Sequence, residues 1–69
     1  MTQKELLYIE DAIGHEGNII KICEVSMDNL VDEDLVSFFQ KEIKKHTSMK
    51  EKLTKLLEDK ANEWSINNG

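Results

Sequence analysis

At 69 residues the chain has room for one domain at most, and a core of that size is marginal unless a disulfide, a metal or another chain supplements it. Its single cysteine, Cys23, excludes an intrachain disulfide and leaves association or metal. Nine lysines, no arginine and 14 acids give a net charge of -5, which argues against a nucleic-acid partner, because such a partner calls for a basic face and usually arginine.

The opening residues "MTQKELLYIEDAIG" reach Glu5 almost at once and contain no unbroken apolar run. Neither a leader peptide nor a membrane span is expected, and the expected setting is cytoplasmic with a reduced thiol. The first predicted element is a helix over about 3–29. Within it Leu6, Ile9, Ile13, Ile20, Cys23, Met27 and Leu30 recur at alternating spacings of three and four, and Glu16 fills the remaining slot. Gly14 and Gly17 interrupt this helix at a cost of roughly 1 kcal/mol each relative to alanine. Gly17 borders the row and is expected to give a neighbour clearance near Glu16, whereas Gly14 points outward.

A turn is predicted at about 30–32 within "DNLVDEDLV". Asn29 is expected to end the first helix in a left-handed conformation, and Asp32 to cap the second, with Glu33 and Asp34 in its first turn. The second helix is predicted over about 33–63, with a frayed tail "SINNG" at 65–69. Its row is Leu35, Phe39, Met49, Leu53 and Leu56, with Glu42 and His46 in two slots. Folding about residue 31 pairs the two rows in one antiparallel register: Leu6 with Leu56, Ile9 with Leu53, Ile13 with Met49, Glu16 with His46, Ile20 with Glu42, Cys23 with Phe39, Met27 with Leu35. Charge agrees with this arrangement. Residues 1–31 hold two lysines and six acids, residues 32–34 three acids, and residues 35–69 seven lysines and five acids.

Val36, Phe38, Ile43, Leu57 and Trp64 widen the second helix's apolar stripe beyond what one neighbour covers, and Leu7, Tyr8, Ile22 and Val25 lie partly outside the first helix's row. The expected solution is all-α: a two-helix antiparallel hairpin dimerising into a ferritin-like four-helix bundle. The expected partner is a second copy, with higher assembly through the outer apolar strip.

Glu16, Glu42 and His46 occupy slots reserved for apolar side chains and fall near one level. A dimer would double the set, and inward carboxylates with imidazoles are how di-iron and di-manganese bundles hold metal. The metal-ligand candidates are therefore Glu16, Glu42 and His46, with iron or manganese as the cofactor under that reading and His15 and Glu10 as outer members. The competing reading is a hydrogen-bonded ion pair that fixes register and needs no cofactor. Cys23, Met27 and Met49 read as core, and Trp64 as a cap on the bundle's end. "GHEG" lacks the strand, spacing and lysine of a phosphate loop, and no nucleophile motif is present, so the reading leans away from an enzyme.

The stretch "DEDLVSFFQKEIKKHTSMKEKLTKLLEDKANEW", residues 32–64, resembles the second helix of short spore coat F-like proteins of the ferritin-like superfamily: an acidic start, a Leu, a central His, then a Leu-rich run closing in Trp. The resemblance implies a four-helix ferritin-like bundle assembled from two chains, a place in or near the spore coat, and other coat proteins as partners. Ferritin-like oxidases carry Glu-x-x-His on such a helix; here position 43 is Ile, and Glu42 stands four residues before His46. The leading expectation is a non-enzymatic structural or interaction protein. A metal-binding bundle is the alternative, and a small regulatory hairpin binding a partner protein the third.

Overall fold

The computed structural model describes residues 1–68, with side chains through Glu63. Two helices, α1 (Gln3–Asp28) and α2 (Glu33–Asn68), are joined by residues 29–32 and pack along each other as an antiparallel hairpin. The Cα atoms span 53 × 15 × 12 Å, so the shape is a rod whose length is set by α2. The described residues contain no strand, and no helix among them is long and apolar enough to cross a membrane.

Each helix begins at a side-chain cap. At α1 the Thr2 hydroxyl accepts from the Glu5 N–H at 3.1 Å while the Glu5 carboxylate accepts from the Thr2 N–H at 2.7 Å. This reciprocal pair satisfies two otherwise orphaned donors and holds the Glu5 carboxyl below the ordinary glutamate range, chiefly through the Thr2 backbone N–H. At α2 the expected cap is in place: Asp32 Oδ1 accepts from the N–H groups of Asp34 at 2.9 Å and Leu35 at 3.1 Å.

The end of α1 differs from expectation. Asn29 has φ -105° and ψ 3°, so it is not left-handed. Its side-chain amide instead donates to the Val25 carbonyl at 2.8 Å, while its backbone N–H reaches Ser26 and that of Leu30 reaches Met27. With the last carbonyls met in this way, no left-handed residue is needed. The end of α2 differs too. The helix runs to Asn68, past the expected end at 63, and residues 65–68 are helical where a frayed tail was expected. Residues 33–68 contain no proline or glycine to stop it. The expected capping role of Trp64 lies outside the described side chains.

The row predicted on the first helix faces α2: Leu6, Ile9, Ile13, Glu16, Ile20, Met27 and Leu30 are partly buried, and Cys23, 6% exposed, is the most deeply buried residue among those described. On α2 the row is rotated at every second step. Phe39, His46 and Leu53 face inward as predicted and Glu42 is partly buried beside Ile43, but Val36 and Leu57 take the places expected for Leu35 and Leu56, leaving Leu35, Met49 and Leu56 exposed. The stripe on α2 is two side chains wide and α1 covers one edge of it, so spacing alone did not say which edge. Leu7, Tyr8, Ile22, Val25 and Phe38 are also exposed, the last with its ring edge-on to Phe39 at 5.5 Å.

Gly17 is not a clearance device within the hairpin. A Cβ built there would lie 3.6 Å from Lys50 Nζ, an ordinary contact with the end of a flexible side chain, and one at Gly14 would meet nothing within 4 Å.

Candidate functional site: a carboxylate–imidazole–carboxylate rung

The hairpin register brings together the three polar residues singled out in the sequence. Glu16 projects from the middle of α1, and Glu42 and His46 stand one turn apart on α2. His46 Nδ1 pairs across the hairpin with Glu16 Oε2, and His46 Nε2 lies 3.4 Å from Glu42 Oε2 on its own helix. The ring is therefore held between two carboxylates, one at each nitrogen.

The side chains of Glu16, His46 and Glu42 are 17%, 19% and 29% exposed. That degree of burial places the rung between a surface pair screened by water and a dry internal pair. Its attraction is stronger than that of an exposed pair, and the carboxylates keep enough solvent to avoid the full desolvation cost. Both nitrogens can donate at once only when the ring carries both protons. All side-chain N and O atoms that are buried among the described residues have a partner.

This geometry limits the chemistry. A histidine whose two nitrogens both face carboxylates presents no lone pair to a substrate, so it is not arranged as a general base. Metal ligation needs the lone pairs of several ligands to converge on one point. Here Glu16 and Glu42 approach opposite nitrogens of the same ring, and each is directed at the histidine. Among the described residues, no group of three or more His, Cys, Asp or Glu is arranged to hold a metal ion. His15 and Glu10, expected as outer members, are exposed.

Two features of the surroundings went unread in the sequence. The ammonium of Lys50 reaches toward Gly17, one turn beyond the rung. The Thr2–Glu5 box was legible as T-x-x-E at the start of an apolar run but was passed over. Cys23 is a buried free thiol, and a buried free cysteine behaves as a small hydrophobe.

Comparison with protein-family models, with curated proteins and with solved structures finds no match to the chain.

Proposed function

We propose that this chain is a non-enzymatic structural or interaction protein that works as a homodimeric four-helix bundle. One observation carries the reading: among the described residues the two long helices bury one, Cys23, while ten large apolar side chains are between 42% and 95% exposed. So small a buried set falls short of offsetting the conformational entropy of ordering the chain. A second copy supplies the missing burial without any further ligand.

The rung supports a role in specificity. Sliding α1 by one heptad would set Glu16 opposite Phe39 or Leu53 and leave a carboxylate without its partner, so Glu16 and His46 select one register. The likeness of residues 32–64 to coat F-like proteins extends the proposal to a place in or near a spore coat, beside other coat proteins. Sedimentation of the purified chain at micromolar concentration tests the assembly: a dimer is expected, and a folded monomer would overturn the reading. Metal analysis of protein purified without chelator tests the alternative. Iron or manganese bound stoichiometrically and lost in a Glu16→Ala, His46→Ala variant would replace the structural reading by a metal-binding one.

A further inference from the structure

The exposed apolar residues are not scattered. Each residue turns a helix by about 100°, which puts Tyr8 and Ile22 in a second row on α1, about 130° round from the row that faces α2. Leu35, Met49 and Leu56, at about 70°, and Phe38, at about 130°, are displaced from the inward row of α2 in the same rotational sense. Because the helices are antiparallel, displacements of the same sense bring both rows to the same face of the hairpin. Tyr8, Ile22, Phe38 and Leu56 are 61%, 62%, 54% and 42% exposed there. Leu7 falls on the opposite side.

We propose that this face is the dimer interface, and that the two hairpins meet on it with their turns at opposite ends, related by a twofold axis at the level of His15 and Thr47. The proposal rests on the self-association argued above and specifies its surface and orientation. The reason is a coincidence of centres. On α1, Tyr8 and Ile22 are equidistant from residue 15. On α2, Phe38 and Leu56 are equidistant from residue 47, and so are Glu42 and Lys52. The Glu16–His46 pair sets residue 15 level with residue 47. One axis therefore stacks Tyr8 on Ile22 of the second copy, Phe38 on Leu56, and Glu42 on Lys52, and sets Leu35 and Met49 level with Asp59 and Lys45 at the rim. Glu42 meets His46 through one carboxylate oxygen, which leaves the other for the lysine.

Charge favours the same orientation. Residues 24–34, around the turn, carry five acids and no lysine. Turns at opposite ends place this tip near Lys4 and Lys60 of the second copy. Turns at the same end would put the two acidic tips together. The area suffices as well. The α2 row runs about 32 Å and the α1 row about 21 Å; on a two-helix face about 20 Å wide this buries on the order of 1,100 Å² in total, above the roughly 1,000 Å² that a specific interface clears.

A spin label on a Val31→Cys variant reads the orientation directly. Val31 is 95% exposed at the turn, and Cys23 is buried away from the label. Opposite turns put the two labels about 48 Å apart, twice the rise over sixteen residues, whereas turns at the same end put them within about 25 Å. A distance near the longer value is expected. The shorter one would overturn the orientation while leaving self-association intact, and absence of dipolar coupling with a monomeric sedimentation coefficient would overturn both. The face is tested by Phe38→Glu, expected to weaken the dimer by about 100-fold, beside Leu7→Glu, expected to change it by less than about 3-fold. The reverse pattern would move the interface to the other face.

Discussion

Replacing Gly17 with alanine stabilises the protein if the hairpin geometry is right. Gly17 sits inside α1 with no left-handed conformation to protect, so alanine gains the full difference in helix propensity, about 0.8–1.0 kcal/mol. The new methyl group would lie 3.6 Å from Lys50 Nζ, a distance that asks nothing of the neighbour. Gly14, with open space around it, gives the same gain. In a domain this small each change raises the melting temperature by roughly 4–8 °C. Urea denaturation followed by far-ultraviolet circular dichroism, at one fixed chain concentration, measures it. If Gly14→Ala stabilises and Gly17→Ala destabilises, a body other than α2 approaches the backbone at residue 17 and the argument fails. Both glycines lie away from the proposed interface, so neither change should shift the association constant.

Three further outcomes test the local chemistry. Asp32→Ala removes the acceptor for two N–H groups at the start of α2 and should cost about 1 kcal/mol, whereas Asp32→Ser should recover most of it. A double-mutant cycle on Glu16→Gln and His46→Gln should return a coupling of about 1–2 kcal/mol, the range for a charge-assisted hydrogen bond that is partly buried; additivity would mean that the rung does not hold the register. The Glu5 carboxyl is held low in the folded chain, so its contribution is present above the ordinary glutamate value and is lost as pH falls through its depressed folded value. Amide protection factors at the start of α1, taken relative to the intrinsic exchange rate at each pH, should fall in that acid window, and Thr2→Ala should remove that fall.

Local chemistry was more legible in the sequence than lateral packing. The Asp32 cap follows from an acidic side chain placed just before an apolar repeat, and the Glu16–His46 pair follows from one register fitting seven rungs. Both depend on spacing along one chain. The edge of α2 that turns inward did not follow, because Leu35 and Val36, and again Leu56 and Leu57, are adjacent and equally apolar. Only the direction from which α1 approaches separates them. Asn29 was misread for a related reason: asparagine tolerates the left-handed state but can also use its amide to satisfy a carbonyl, and the structure takes the second course. The joint arrangement of Glu16, Glu42 and His46 was foreseen as a cluster. Its use of both ring nitrogens required the side-chain geometry.

The connection of four residues between helices has a kinetic consequence. Closing so short a loop costs little entropy, and all the contacts within the hairpin follow from that one closure, so helix pairing is a fast local event. The hairpin by itself holds little to keep it closed. Where a second copy completes the core, the slow step becomes a bimolecular encounter, and the observed refolding rate then rises in proportion to chain concentration.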